Sequence, residues 1–246
     1  ATRAPVNGPT ARYFRQVTRM SAAFSFVSDL VLLSLGGRFK VKEKLSGRLA
    51  DALIHLYMCC AVLKRYEDDG RPEADLPLLT WAVEDSLYLV QESLKGVLAN
   101  FPAPGIGSLI KLIICPLGTP YSQPSDRTGR HVARILLTEN ESRNRLVSGV
   151  YISDQDDASG RVHTAFHLAL TSTNAENAIH NALNEPVTYE NYEVLVQKAV
   201  ESGVITEEQA TTVRLAQEAT RAVVQVDEFT REEIEGSKTA FNSENP

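Results

Sequence analysis

The spacing of apolar residues in the first hundred positions predicts three long helices. From Thr10 onward, apolar residues recur every three or four positions, which is the period of one helical face. The second helix is predicted from about Lys40 to Tyr66, and the third runs from Leu76 to before Pro102. The first helix carries the stripe Tyr13, Val17, Met20, Phe24, Val27, Val31 and Leu35. The third carries Leu79, Val83, Leu87, Val90, Leu94 and Leu98.

Residues with helix-ending chemistry separate these helices. Thr10 is placed to cap the first helix, and Gly36-Gly37 to end it, because glycine adopts the left-handed conformation without a Cβ clash. Gly70 and Pro72 end the second helix. Short turns between long helices predict an antiparallel bundle over residues 1–102. The second helix is expected to face the third through Leu49, Leu53, Leu56 and Leu63.

Two further regions follow the bundle. Residues 103–150 hold a Pro/Gly-rich connector, a short apolar helix and two short helices near Asp126–Leu137 and Glu141–Leu146. Residues 151–246 are acidic and are predicted to form a smaller helical subdomain that contains a helical hairpin. Gly203 ends the first helix of the hairpin, and Thr206 with Gln209 forms a capping box for the second. No run of alternating β-branched residues appears, so the predicted fold class is all-α.

Composition and charge narrow the class of protein. Of the 246 residues, 43% are hydrophobic and 23% are charged, which is typical of a soluble globular chain. The net charge is -6, with nine Lys/Arg against two acids in residues 1–50 and an acidic C-terminal region. Three cysteines favour reduced thiols and a cytoplasmic location. We expect no nucleic-acid partner. No run reaches the roughly 18 apolar residues of a membrane span, and the start at Ala1 suggests a longer parent.

Gly36-Gly37 and the cations after it raise the question of a phosphate loop. Phosphate loops place glycines between a strand and a helix, so that backbone N–H groups face the anion. Here a helix precedes the glycines, which favours a turn between two helices. The cations are interpreted as a solvated face, with contact to an anionic partner left open. They are Arg38, Lys40, Lys42, Lys44 and Arg48.

Histidines provide the other candidates for chemistry. His163 and His167 have the i, i+4 spacing of two metal ligands on a helix, but Thr164 stands where a zinc protease motif has glutamate. Two ligands at that spacing are common by chance, so no metal site is predicted. His55 is interpreted as a core residue, with Asp51 one turn earlier able to orient it. No nucleophile is signalled, and no catalytic residue is assigned.

The connector contains the most informative pattern for function. Its short helix is apolar nearly all round and too short to span a bilayer, so it is either buried in protein or inserted into a membrane surface. A basic cluster follows it, and such clusters bind lipid headgroups or other phosphates. The candidate membrane or anion contacts are Ile106, Leu109, Ile110, Ile113, Arg127, Arg130, Arg134, Arg143 and Arg145.

Several long strings resemble one enzyme family. "LGGRFKVKEKLSGRLADALIHLYMCCAVLKRYEDDGRPEADLPLLTWAVEDSLY", "PLGTPYSQPSDRTGRHVARILL", "ESRNRL" and "VQVDEF" resemble the C-terminal region of bacterial long-chain acyl-CoA dehydrogenases of the fatty-acid-degradation (FadE) type. The first bundle is also similar, more weakly, to the helical C-terminal domain of very-long-chain acyl-CoA dehydrogenase. The resemblance extends from Thr10 to Phe229.

The resemblance implies a parent enzyme that oxidises long-chain acyl-CoA in the first step of fatty-acid β-oxidation. In that family FAD takes a hydride from the β-carbon while a glutamate removes the α-proton. Those groups belong to upstream dehydrogenase domains of the same polypeptide, and no residue here matches the glutamate or the flavin contacts. The chain is therefore expected to be an accessory domain that is inactive alone.

Three roles remain open for such a domain. In the first, the domain docks the enzyme peripherally on the inner face of the cytoplasmic membrane. In the second, it is a structural or oligomerisation module, with a homodimer as one form. The third alternative is an independent catalytic or metal-binding domain. Dependence on lipid separates the first role from the second.

If the flavin site lies in the upstream domains, the purified chain should be helical and colourless. Helix stripes and caps are present, whereas residues matching a flavin site are not. Circular dichroism should report a helical protein, and the visible absorption spectrum should lack a flavin band. A yellow protein that releases stoichiometric flavin on denaturation would contradict the assignment.

Overall fold

The computed structural model describes residues 4–103, 105–116, 118–153 and 157–226. Within these ranges every regular element is helical and no strand occurs, which confirms the all-α fold class. The chain forms two compact units, residues 1–146 and 147–246. Each unit has its own hydrophobic core.

The first unit begins with three long helices and continues with shorter ones. These are α1 (Ala11–Leu35), α2 (Glu43–Asp68), α3 (Leu76–Ala99), α4 (Ile106–Ile114), α5 (Asp126–Leu136) and α6 (Glu141–Val147). The Thr10 hydroxyl before α1 donates to Glu67 near the end of α2, at 3.0 Å. Arg48 early in α2 lies against Gly96 late in α3. Consecutive long helices are therefore antiparallel.

The core of the first unit follows most of the predicted stripes. All six α3 positions are buried, and in α1 only Phe24 is half-buried, because Ala23 occupies the inner position beside it. The α2 stripe contains one error: Leu53 is 54% exposed. Ala52 and Cys59 occupy the seam with Leu49, Leu56 and Leu63, and this stripe alternates steps of three and four residues. Leu53 lies about a quarter-turn outside it.

The ends of α1 show how local chemistry sets the helix boundaries. Gly36 has φ +53° and follows the last residue of α1, and a 3-10 segment over Gly36–Val41 leads into α2. This confirms the turn between two helices, with the positive φ at Gly36 and not at Gly37. Thr10 holds the N-cap position, but its side chain makes no cap hydrogen bond and reaches Glu67 instead.

The described part of the second unit contains three helices: α7 (Ala158–Leu183), α8 (Tyr192–Glu201) and α9 (Glu207–Val224). Thr206 and Gln209 form the predicted capping box, and Gly203 has φ +72° after α8. Helix α7 is as long as the bundle helices, although its apolar stripe is faint. Its buried face consists mainly of small residues, namely Gly160, Ala165, Ser172 and Ala175, with Ile179.

The burial of α3 predicts unequal costs for two leucine truncations. Leu87 is 1% exposed, so Leu87→Ala should lower the free energy of unfolding by about 2–5 kcal/mol. Leu53→Ala removes the same atoms from a position that is 54% exposed and should change it by about 0.5 kcal/mol or less. Denaturant titration of both variants measures the difference. Equal costs would show that the assigned α2 face is incorrect.

Candidate functional site

Helix α4 is attached to the end of α3 by a close backbone approach. A Cβ added to Gly107 would lie 2.0 Å from the Leu98 carbonyl oxygen, so only glycine fits this contact. One turn later, Ile110 is 3% exposed and belongs to the core of the first unit. At the end of α4 the Arg19 guanidinium donates to the Ile114 carbonyl at 3.2 Å. The inner side of α4 is therefore committed to packing.

The outer side of α4 is apolar and faces solvent. Ile106 is 45% exposed, Leu109 59%, Leu112 63% and Ile113 58%. Sequence reasoning offered burial or membrane insertion for the whole helix, and the structure divides its residues between two sides. Ile110 leaves the set of candidate membrane contacts because it is core, whereas Ile106, Leu109 and Ile113 remain accessible.

The connector after α4 is held by one buried side chain. The Gln91 amide, 2% exposed on α3, donates to the Tyr121 carbonyl at 2.9 Å and accepts from the Tyr121 N–H at 3.1 Å. The Tyr121 ring packs against the core, and burial raises the pKa of its hydroxyl. A buried amide needs such partners, since leaving it unpaired costs about 1–3 kcal/mol. This pairing sets the path of the chain toward α5.

Helix α5 has one strongly basic side. Ser125 caps it by accepting a hydrogen bond from the Thr128 N–H at 3.2 Å. Gly129 lies next to the Trp81 indole of α3. Four exposed residues line a shallow cavity of about 320 Å³, namely Arg127, Arg130, His131 and Arg134. Among the described residues, no carboxylate lies within ion-pair distance of these three arginines, and they are available to an external anion.

Arg145 of α6 has a structural partner and is thereby distinguished from the α5 arginines. Its guanidinium donates to both carboxylate oxygens of Asp75, at 2.8 and 3.1 Å. Burial acts to raise the pKa of the Asp75 carboxyl, but hydrogen bonds from Arg145 and Ser142 outweigh it and hold that pKa below its usual value. Arg145 therefore leaves the candidate contact set. Arg143, on the same helix, donates its backbone N–H to Asn140.

The remaining candidates do not form a reactive site. The His163 and His167 rings lie 4.3 Å apart between centroids, and no group of three metal-binding side chains occurs in the described parts of the chain. His55 is half-buried and does not lie in the core. Burial raises the pKa of the Cys59 thiol to about 12, so this cysteine stays protonated and unreactive.

Two segments, Ala11–Val41 and Glu43–Asp68, are long and apolar enough to cross a membrane by length and composition. A search for uninterrupted apolar runs does not find them, because charged residues interrupt both segments. The mean hydropathy over 18 residues is nevertheless high enough, since it tolerates a few charges. Core helices of bundles pass the same test, and α1 and α2 each bury one side in the first core. We therefore interpret both as bundle helices.

Comparison with known protein families decides the assignment. The family model described as acyl-CoA dehydrogenase, C-terminal, bacterial type matches residues 1–229. The chain belongs to this family. No solved structure matches it. The match confirms the resemblance, and it implies that this acyl-CoA dehydrogenase C-terminal domain is part of a larger FAD-containing oxidoreductase.

Three cavities among the described residues of this acyl-CoA dehydrogenase C-terminal domain lack the size or the lining of a flavin pocket. The apolar cavity between α2, α3 and α6 holds about 170 Å³, below the roughly 300 Å³ at which sites for drug-sized ligands begin. Two larger clefts, of about 460 and 710 Å³, are open and lined by charged and aliphatic residues without an aromatic ring.

The contact between α4 and α3 predicts a sharp difference between two glycine substitutions. Gly107→Ala forces a methyl group against the Leu98 carbonyl and should destabilise the first unit by about 1–3 kcal/mol. Gly47→Ala in α2 is the matched control, because open space surrounds its Cβ position and alanine favours a helix by about 0.5–1 kcal/mol. Thermal unfolding measures both changes. A Gly107→Ala variant as stable as the control would mean that α4 is not docked as described.

Proposed function

We propose that this domain docks an FAD-dependent acyl-CoA dehydrogenase on an anionic membrane surface and takes no part in the chemistry. The parent would act on long-chain acyl-CoA in the first step of fatty-acid β-oxidation, in the cytoplasm at the inner face of the membrane. Family membership supports the parent. The observation that carries docking is that α4 is fixed to the core on one side and exposes Ile106, Leu109 and Ile113 on the other.

The energetics suit reversible attachment. Burying a whole isoleucine or leucine side chain contributes about 1.5–3 kcal/mol, and the α4 residues are each roughly half exposed, so together they offer a few kcal/mol. Each cation near an anionic surface adds about 1 kcal/mol. Arg127, Arg130 and Arg134 of α5 can supply that attraction. Neither contribution suffices alone, whereas the two together give peripheral binding without a spanning helix.

Anchoring of α4 favours insertion without unfolding. The Gly107 contact and the buried Ile110 hold the helix while its outer side chains remain accessible. The apolar residues therefore need not leave the core to meet lipid. Because α4 is already fixed to the core, it loses little conformational entropy when it meets the membrane. Little of the favourable free energy from burying its side chains is therefore offset.

A second candidate function is a packing module for the upstream dehydrogenase domains. The outer side of α2 exposes apolar residues in a row: Leu53, Ile54, Tyr57 and Met58, at 50–73%. Exposed apolar patches often mark protein interfaces. Membership of a family whose members are parts of a larger polypeptide favours those domains as the partner, with a second copy of this chain as the alternative.

Vesicle sedimentation tests the docking function. The wild type should sediment with anionic vesicles, less with neutral ones, and less as salt rises, because exposed charges are screened over about 8 Å at physiological ionic strength. Ile113→Asp should weaken binding to both vesicle types. Arg130→Glu should weaken binding to anionic vesicles by roughly tenfold, since about 1.4 kcal/mol is a factor of ten.

Matched controls keep this test specific. Ile54→Asp places the same charge at an equally exposed isoleucine of α2, 55% against 58% for Ile113, and should leave vesicle binding unchanged. Lys198→Glu repeats the charge reversal on α8. If the wild type ignores vesicles, the docking proposal is abandoned in favour of the packing module. The same conclusion holds if Ile54→Asp matches Ile113→Asp.

A further inference from the structure

A concave basic surface lies where the α1–α2 turn meets the end of α3. It encloses about 710 Å³ and is lined by four cationic side chains: Arg38, Lys42, Lys44 and Arg48. We call these four residues with Asn100 the basic cleft. The floor and rim are completed by Leu35, Val41, Glu43, Leu45 and Pro102.

The cations of the basic cleft outnumber the carboxylates in its lining by four to one. None of the four makes an ion pair within 4.0 Å among the described residues, and Glu43 is the one carboxylate in the lining. Like charges gathered in a cleft repel each other and raise the local potential for anions. The first unit as a whole is basic, with nineteen Lys/Arg against fourteen Asp/Glu in residues 1–146.

Arg48 is placed in the cleft by a glycine on the facing helix. It is half-buried, and a Cβ at Gly96 of α3 would lie 2.9 Å from its Cδ and Nε atoms. The Cδ and Nε atoms of Arg48 therefore lie close to Gly96, where a side chain at position 96 would displace them. A solvated surface arginine requires no such slot. This contact restricts the positions open to the Arg48 side chain at the cleft, which lowers the entropy lost on binding.

The turn brings the other cations to the same place. The positive φ of Gly36 ends α1, and the 3-10 segment over Gly36–Val41 carries Arg38 toward Lys42 and the start of α2. Arg38, Lys42 and Lys44 are exposed at the rim. The cationic groups of this cleft belong to side chains. It therefore does not need the glycine-rich backbone pattern of a phosphate loop, which binds anions through backbone N–H groups.

We propose that the basic cleft binds a ligand carrying at least two phosphate charges, such as a diphosphate or a phosphomonoester dianion. Arginine presents parallel N–H donors that match phosphate oxygens, and lysine supplies point charges. Four cations against Glu43 leave a net excess of three positive charges, of which a ligand with two or more negative charges offsets most or all. The volume falls within the range of about 300–1,000 Å³ typical of small-molecule sites. The site is separate from the proposed membrane contacts on α4 and α5 and does not depend on docking.

Calorimetric titration of the 246-residue chain with inorganic pyrophosphate tests the cleft. We expect one site per chain, weakened about tenfold by Arg38→Ala and by Lys42→Ala, both of which alter exposed residues and spare the core. Arg48→Gln should weaken binding by a similar factor. Arg15→Ala is the matched control, because it removes an exposed arginine of α1 that lies outside both the cleft and the proposed membrane contacts, and it should leave pyrophosphate affinity unchanged.

Lipid headgroups and soluble phosphates share this chemistry, and a second arm separates them. Vesicles containing phosphatidic acid present a phosphomonoester at a surface. Binding of free pyrophosphate that requires Arg38 and Lys42 supports a soluble ligand. Vesicle binding that is lost in Lys42→Ala but kept in Arg15→Ala, without pyrophosphate binding, supports a headgroup in the same cleft. The proposal is overturned if neither probe binds, or if binding is equal in the cleft variants and the control.

Discussion

Burial of α3 on almost every side is the constraint on which the first unit depends. Helices α1, α2, α4 and α5 all pack against it, and Val83, Val90 and Val97 are completely excluded from solvent. A helix that is apolar around most of its circumference cannot be stable until several partners cover it. Each partner then presents its remaining side outward, and those outer sides carry the candidate contacts. The surface chemistry of this domain is therefore a consequence of how one helix is covered.

The spacing of apolar residues predicted the bundle because each helix buries one face, and the residues of that face recur every three or four positions. The stripes of α1 and α3 required only spacing, and the ends at Gly36 and Gly203 required only local backbone chemistry. Leu53 was misplaced because two positions of the true α2 seam are Ala52 and Cys59, which are weak hydrophobic signals beside a leucine. The apolar pattern gives no bounds for α7 for a related reason, because small residues form its buried face.

The candidate sites depended on pairs that are distant in sequence. Asp75 and Arg145 are seventy positions apart, and only the fold shows that one arginine of a basic cluster is already neutralised. Arg48 and Gly96 are likewise far apart, and neither residue alone indicates a held guanidinium. The division of α4 between Ile110 and its exposed neighbours follows from the approach of Gly107 to Leu98, which is a contact between backbones. Composition located the apolar helix and the basic clusters, but it did not identify which of their residues are accessible to a ligand or a membrane.

The pairing of Gln91 with Tyr121 has a consequence for how the connector can vary. The amide contacts only main-chain atoms of Tyr121, in the manner of one rung between two strands, so it does not depend on which side chains lead up to it. Residues 118–120 before it and 122–123 after it are exposed. Exposed connections tolerate change when their backbone groups are not needed elsewhere. The connector is thus the place where a peptide tag or a reporter can be inserted while the fastening of the chain to α3 stays intact.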